Sequence, residues 1–507
     1  MKKLLLLFAL LAAALLPAFS SAEPAITFQP ENPRLGDYVD VTVVPDREGA
    51  QSVSWSLSTP DGPVFTGGET DRCTASFRPR MEAEYTLTVT VSYGKKDTET
   101  ASVLIPVSGT APVQEGPDVI YSQKDGWWKD KMYSVKYRRS VQIAGCALFA
   151  LSHALQRLGF SGEEVHPDRL AERFKSCYVE GRGTANETLL ARAGEIWHFT
   201  TANDLIETEL GIRTCFALGD RFSFSIVNGH IAYADALSED GTKVHVIDSA
   251  PGATYERIKN GTVYYLDETG AFAEAKTPED LPGIRWFFET GEYGGMEYWL
   301  DISYCARRGM RLIRPPWLTY SAAEDGADVT PDYIGTVWSS VKTGGESRLV
   351  RTGDLQWVTS GTDGMKIARV TKKNTPLNDD AGNRVPRIKL LQPGALAMVL
   401  AEADKKQVYV YYKGAFGYLP AANVELLDVD TGDYPTGLVS LNGRTRGTAE
   451  VNIRVDTAKT QSYYTWVIGT PVTILKEKGN YYYAEGGGLC GWVGKEYITP
   501  DAPGDAE

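Results

Sequence analysis

The sequence predicts a multidomain chain: a β-sandwich, then one α+β domain, then two small β-barrels. Three observations predict it. Residues 23–108 carry alternating apolar runs, residues 118–318 place helical patterns before strand patterns, and the last third repeats itself. At 507 residues the chain is too long for one ordinary core, and length alone suggests about three or four domains.

The chain opens MKKLLLLFALLAAALLPAFSSAEP, with two lysines, an apolar run and small residues at Ser20, Ser21 and Ala22. That pattern predicts a cleaved secretory signal over 1–22, and the run is short for a retained membrane anchor. No cysteine follows the run, which argues against a lipid anchor. The expected location is therefore outside the cell, secreted or at the cell surface.

In residues 23–108, Val39, Val41 and Val43 alternate, as do Val53, Trp55 and Leu57, and then Tyr85, Leu87, Val89 and Val91. Turn clusters such as TPDGP separate these runs, the pattern of a small sandwich. The stretch resembles the immunoglobulin-like and PKD-type modules of exported bacterial proteins, although Cys73 stands alone where an immunoglobulin domain carries two cysteines. Residues 109–117 read as a linker.

From 118 to 318 the texture changes. In VQIAGCALFALSHALQRLGF, Leu148, Leu151, Leu155 and Leu158 mark one apolar helix face, with Ser152, His153, Gln156 and Arg157 expected opposite and His153 pointing to solvent. HPDRLAERFKSCY groups Leu170, Phe174 and Cys177 on one face, and ANETLLARA and ANDLIETEL read as short helices. RFSFSIV, HIAYADAL and KVHVID read as strands. TYSAAEDGADVTPD opens a linker and a transitional β segment with some strand character over 319–365.

Near the C-terminus, PGALAMVL (393–400) matches IGTPVTIL (468–475), and GAFGYLP (414–420) matches GLCGWVG (488–494), at offsets of 75 and 74. Two units follow, 366–428 and 436–500. The second, with VNIR, GTPVTIL and GWV, resembles the bacterial SH3 family closely. The first resembles it loosely, lacking VNIR and reading Gly417-Tyr418-Leu419 for Gly-Trp-Val. Trp492 and Tyr481 to Tyr483 are read mainly as barrel core.

A net charge of −13 argues against general nucleic-acid binding. The six cysteines are scattered with no C-x-x-C pair, so neither a zinc ribbon nor a thioredoxin motif is supported. Export permits disulfides, but spacing assigns none.

Cys146 sits at the N-terminal end of its helix, where unpaired N–H groups and the positive dipole end favour a thiolate. A cysteine nucleophile needs a base and a group to orient it. Of five histidines, His230 and His245 lie in strands, while His166 and His198 fall near helix ends with capping or surface roles. HIAYADAL and KVHVID, joined by Ser238-Glu239-Asp240-Gly241, read as a hairpin in which opposed residues sum to about 479. His230 and Asp248 then become cross-strand neighbours. His245 falls opposite Tyr233 or Ala234 with no obvious acid partner and reads as structural. For the oxyanion, the amides of Gln123 and Gln142 are both available.

VIYSQKDGWW, SVQIAGCALFALSHALQRLG and NGHIAYADALSEDGTKVHVIDSAP together resemble the C39-like, papain-fold cysteine peptidase family over roughly 118–250. The resemblance implies Cys146 as nucleophile, His230 as base, Asp248 as orienting acid and Gln123 as oxyanion donor. It departs at Ala147-Leu148, where Gly-Pro is common, and at Ser249, where proline is usual. It also implies a peptide or protein substrate and no metal or organic cofactor. The bacterial SH3 likeness implies cell-wall peptidoglycan as a partner. Two other readings compete: a non-catalytic wall-binding or adhesion protein with a retired peptidase domain, and a hydrolase of peptidoglycan peptides.

Overall fold

The computed structural model describes residues 23–70, 72–109, 118–201, 205–250, 264–266, 272–274, 285–315, 320–322, 328–343, 346–357, 366–440, 450–458 and 461–501. The expected signal segment and nearly all of the 109–117 linker lie outside them.

Seven strands come first: β1 (Ala25–Gln29), β2 (Val39–Val44), β3 (Ser52–Thr59), β4 (Gly62–Thr70), β5 (Thr74–Phe77), β6 (Ala83–Gly94) and β7 (Asp97–Val107). One sheet runs β4-β3-β6-β7. The alternating residues Val39, Val41, Val43, Val53, Trp55, Leu57, Leu87 and Val89 form one buried cluster. Period-two alternation puts them all on inward faces.

The middle of the chain contains α1 (Val141–Ala144), α2 (Cys146–Arg157), α3 (Pro167–Arg173), α4 (Asn186–Trp197) and α5 (Glu209–Ala217). They precede β8 (Arg221–Val227), β9 (His230–Leu237) and β10 (Lys243–Asp248). Next come β11 (Arg285–Phe287), β12 (Glu292–Gly294), β13 (Met296–Asp301), α6 (Ile302–Arg308) and β14 (Met310–Ile313). An antiparallel sheet, β13-β10-β9-β8-β14, backs α2.

Strands β11 and β12 do not stay with this sheet. They extend the second sandwich sheet, β1-β2-β5-β11-β12, with Phe287 paired in parallel to Ser76. Phe288 fills the sandwich core beside Trp55, Phe65 and Phe77. The expected boundary between 23–108 and 118–318 is therefore crossed. Chain periodicity marks a strand, but only packing selects which sheet edge it joins.

Two local expectations are corrected. Helix α2 has no solvent face: Ser152, His153 and Gln156 are as buried as its leucines. Each has a hydrogen bond: Ser152 Oγ donates to the Val165 carbonyl (2.6 Å), Gln156 Nε2 donates to the Ser152 carbonyl (3.3 Å), and His153 Nε2 accepts from Tyr121 N–H (2.9 Å). A helix with its polar side buried stays stable because those groups are paired. ANDLIETEL, of which residues 202–204 lie outside the described residues, is not the helix; α5 begins at Glu209, because Thr208 Oγ1 caps Gly211 N–H at 3.0 Å. The segment 319–365, expected to hold a linker and a transitional β stretch, contains strands at 320–322, 328–333, 338–343, 346–351 and 355–357, in one five-stranded sheet.

The C-terminal third starts with β15 (Lys366–Val370), β16 (Leu396–Ala401), β17 (Gln407–Tyr412), β18 (Ala415–Pro420) and β19 (Val424–Asp428). It ends with β20 (Thr436–Val439), β21 (Glu450–Arg454), β22 (Ser462–Val467), β23 (Pro471–Lys478), β24 (Tyr481–Gly486), β25 (Leu489–Gly494) and β26 (Ile498–Pro500). The first sheet runs β18-β17-β16-β15-β19; the second contains β25-β24-β23-β20-β26 in the corresponding order, with β21 and β22 added beyond β25. A one-turn helix, 421–423 or 495–497, precedes the last strand of each. The sequence repeat is thus a repeat of topology. Tyr481, Tyr482, Tyr483 and Trp492 are half-buried rather than fully enclosed.

The first C-terminal unit is docked on the middle region. Asp380 accepts from the N–H groups of Glu207 (2.7 Å) and Thr208 (2.9 Å), capping α5 from outside. A side chain at Gly211 would collide with Asp380 Oδ1, since a Cβ there would lie 1.5 Å away. Arg314 makes a buried two-pronged pair with Asp220 (2.9 and 2.7 Å) and lies 4.5 Å over the Phe416 ring.

Candidate active site

Cys146 is the first residue of α2 and is 9% exposed. Gly145 precedes it, and a Cβ there would lie 2.4 Å from the Val141 carbonyl oxygen, so only glycine allows α1 to run this closely into α2. The Gly145 carbonyl accepts from Leu148 N–H (2.7 Å) and Phe149 N–H (3.0 Å), which starts the helix cleanly at the cysteine despite Ala147-Leu148.

His230 opens β9 and Asp248 closes β10, and His230 Nε2 lies 2.6 Å from Asp248 Oδ1. The register differs from a plain hairpin. Ala236 faces His245 (summing to 481), Ala234 faces Val246 (summing to 480), and Asp235 is the extra residue of a bulge between them. Without the bulge, His230 and Asp248 would fall on opposite sides of the hairpin. The inserted residue restores an even sum, and the two become diagonal neighbours on one side. The expected constant of 479 was therefore low, although it brought the right residues together. His245 faces Ala236, not Tyr233 or Ala234, and it does have an acid partner: Nδ1 is 2.7 Å from Asp235 Oδ1.

Asp248 is fully buried and well satisfied. Its Oδ1 also accepts from Ala250 N–H (2.8 Å), and its Oδ2 accepts from Tyr298 OH on β13 (3.1 Å). Sequence reasoning missed Tyr298, because only the β10–β13 pairing brings it there. With Nε2 of His230 taken by Asp248, the other ring nitrogen is left for the thiol, and the imidazole and the thiol act on each other's protonation.

The electrostatics follow from this chain of contacts. Burial alone would push the Cys146 thiol up, but the hydrogen bond and charge of His230, with the backbone of Ile231 and Ala147, bring it below its ordinary value. Burial would lower His230, but the Asp248 carboxylate and the thiolate outweigh it and push the imidazole up to about 10. Both shifts favour a thiolate beside an imidazolium over the neutral pair. His153, by contrast, is driven far below its ordinary range by burial, with Arg157 adding to the effect, and stays neutral. The other buried cysteines move the opposite way: burial raises Cys177, Cys215, Cys305 and Cys490. None of the five buried cysteines is in a disulfide.

Gln123 is 4% exposed and held on three sides. Its backbone N–H donates to the Ser249 carbonyl (2.8 Å), its Oε1 accepts from Ser249 Oγ (3.2 Å), and its Nε2 donates to the Gln142 carbonyl (3.0 Å). Ser249, where proline was expected, supplies the hydroxyl that orients this amide. One N–H of Nε2 remains beyond the bond to Gln142. Gln142 turns its own amide to the carbonyls of Lys124 and Asp125 (3.3 and 3.5 Å).

No family model and no curated protein matches the chain. Among solved structures it is similar to NlpC2 of Trichomonas vaginalis, at 15% identity over 27% of this chain and 48% of that chain, with a TM-score of 0.11. It is similar also to NlpC1 of the same organism, at 16% identity over 28% and 47%, with a TM-score of 0.12. The match spans about half of each of those chains.

Proposed function

We propose that the protein is a cysteine hydrolase that cleaves peptide bonds, and the single observation that carries this reading is the contiguous, buried chain Cys146–His230–Asp248. The Cys146 thiolate attacks the scissile carbonyl carbon, and the π electrons move to oxygen. The spare N–H of Gln123 and the N-terminal backbone of α2 face that developing oxyanion. The tetrahedral species collapses, His230 gives its proton to the leaving amine, and a thioester remains. His230, again neutral, takes a proton from water; hydroxide attacks the thioester, and the carboxylic acid leaves with the thiolate restored. Asp248 holds the imidazole in the required orientation throughout.

Ser249 favours an active enzyme over a retired one, because its hydroxyl orients Gln123 rather than leaving a gap. The apolar, lysine-led N-terminus supports export, and the tandem C-terminal units support retention at a cell surface, where wall stem peptides and cross-bridges are the available amides. Half-buried aromatic rings on β24 and β25 offer stacking surfaces for a wall polymer. The acidic chain gains no long-range attraction to an acidic wall, so this binding is short-range, and salt strengthens it or leaves it unchanged.

The test uses the mature chain with iodoacetamide, a peptide library and purified peptidoglycan. Expected are selective alkylation of Cys146 in the native state and cleavage that Cys146→Ala abolishes. Alkylation no faster than in denatured protein, with no cleavage of either substrate, would sink the reading in favour of a binding protein. Wall sedimentation unaffected by Trp492→Ala would remove the aromatic surface from the retention proposal.

A further inference from the structure

The segment that carries Gln123 is gripped almost residue by residue from the N-terminal sandwich. Tyr38, in the loop before β2, is 6% exposed, and its hydroxyl oxygen accepts from Ser122 N–H at 2.9 Å. Burial pushes the Asp125 carboxyl up, and Arg78 and this hydroxyl act against that push. Arg78, just after β5, is 1% exposed. Its Nε donates to the Gly36 carbonyl (2.7 Å), and its Nη1 lies 3.6 Å from Asp125 Oδ2. Its guanidinium also lies against the rings of Tyr38, Trp127 and Trp128, at 5.1, 4.8 and 4.9 Å. Arg80 donates to the Gly126 carbonyl. From the β11–β12 turn, Thr290 Oγ1 donates to the Lys124 carbonyl at 2.9 Å.

Flanking Gln123, then, Ser122, Asp125 and Gly126 are held by sandwich residues, and Lys124 by the strands that complete a sandwich sheet. A buried arginine paired with a fully buried aspartate is costly to assemble and adds little net stability compared with apolar packing. What it supplies is geometry. A displacement of about 1 Å in a donor is enough to cost roughly 100-fold in rate.

We infer that the N-terminal sandwich is an integral part of the active site, with Tyr38 and Arg78 as positioning residues that set the Gln123 amide at the oxyanion position. This rests on the hydrolase reading above. It assigns the sandwich a role within the chain rather than as an outward-facing adhesion module.

The test reads the full mature chain with two probes that need no knowledge of the natural substrate. 4-Nitrophenyl acetate reports the whole reaction: the thiolate takes the acetyl group, nitrophenolate leaves, and water releases acetate. Iodoacetamide reports thiolate reactivity alone, since its displacement of iodide builds no oxyanion. Tyr38→Phe keeps the ring and removes the hydroxyl; Arg78→Lys keeps the charge and removes the bond to Gly36. Each is expected to lower kcat for ester hydrolysis roughly 10-fold, with KM and the alkylation rate of Cys146 within about twofold of wild type. Gln123→Ala is expected to lower kcat by roughly 100-fold, and adding Tyr38→Phe to it should cost little more, because the two act through one group. Unchanged kcat in Tyr38→Phe and Arg78→Lys would overturn the inference, as would losses that add fully to that of Gln123→Ala. If either variant unfolds, the other together with the double variant decides. Failure of the hydrolase reading looks different: Cys146→Ala would leave ester hydrolysis unchanged, and wild type would show no selective alkylation.

Discussion

One β-hairpin carries two histidine–aspartate pairs of nearly the same length, and they do different things. His230 and Asp248 meet at 2.6 Å at the open end of the hairpin, and His245 and Asp235 meet at 2.7 Å near the turn. Distance does not separate them; surroundings do. The first pair is buried, with side chains 6% and 0% exposed, and a thiol lies on the far side of the imidazole. The second is 19% and 18% exposed, and its groups have other partners. The His245 ring packs on Trp299 at 4.9 Å, with Glu297 3.7 Å from its second nitrogen, and Asp235 is shared with Arg157 at 3.2 Å. In the low-dielectric site a carboxylate strongly favours the imidazolium, which in turn stabilises a thiolate. Nearer solvent, the same contact joins two strands of one sheet, and Asp235 also ties the sheet to α2 through Arg157, each pair worth about 0–1 kcal/mol. The lesson is that a histidine–carboxylate contact acquires strongly shifted proton affinities only when burial and a third titratable group accompany it.

The largest expected effect would break this comparison outright if absent. His230→Ala should lower 4-nitrophenyl acetate hydrolysis by at least about 1,000-fold, while His245→Ala should stay within about threefold of wild type. Equal losses in the two variants would show that burial is not the distinction.

Next in size is the pair of carboxylates. Asp248→Asn should reduce turnover roughly 100-fold with the fold intact, because the imidazole loses both its orientation and its charge partner. Asp235→Asn should leave turnover nearly unchanged and lower the thermal midpoint by a few degrees, the cost of a half-exposed pair. Steady-state rates and a melting curve on each variant measure both.

The pH dependence of alkylation sharpens the electrostatic half of the comparison. A cysteine whose thiol is held below its ordinary value is thiolate at lower pH than a free thiol, so alkylation of Cys146 should reach half its maximum below about pH 8.5. The ion pair forms above the thiol's lowered value and is lost as pH rises through about 10, where His230 gives up its proton. His230→Ala should move the alkylation midpoint of Cys146 upward, and His245→Ala should not move it. Mass-spectrometric labelling across the pH range gives both curves, and a Cys146 midpoint at or above that of free cysteine would contradict the site's electrostatics.

The smallest effect concerns Tyr298. Tyr298→Phe removes one hydrogen bond from Asp248 without touching His230 or Cys146. A loss of about 1 kcal/mol predicts roughly a fivefold fall in kcat. No change would mean that the other contacts of Asp248 suffice to hold it.

What the sequence determined by itself is what local periodicity encodes. Side chains two apart share a strand face, so Val39, Val41 and Val43, or Val244 and Val246, announce their strands and inward faces without any partner. The position of Cys146 at a helix start is likewise local. So is the approximate meeting of His230 with Asp248, because a short turn ties the two strands together in sequence. The C-terminal repeat was visible because related residues recur at a near-constant offset.

Tertiary structure decided everything that depends on a distant surface. The bulge at Asp235, which gives His230 and Asp248 a common side, coincides with the contact between Asp235 and Arg157 at the far end of α2. The polar side of α2 became interior because Tyr121 and the Val165 carbonyl supply partners that no helical wheel contains. Tyr298 reached Asp248, and β11 and β12 left their sequence neighbours for the sandwich, through strand pairings that join residues far apart in the chain. Hydrophobic alternation states that a strand has an inside and an outside, but it is silent on which other chain segment will cover that inside. That choice is made by whole-molecule packing and by the advantage of arrangements in which most buried polar groups find a partner.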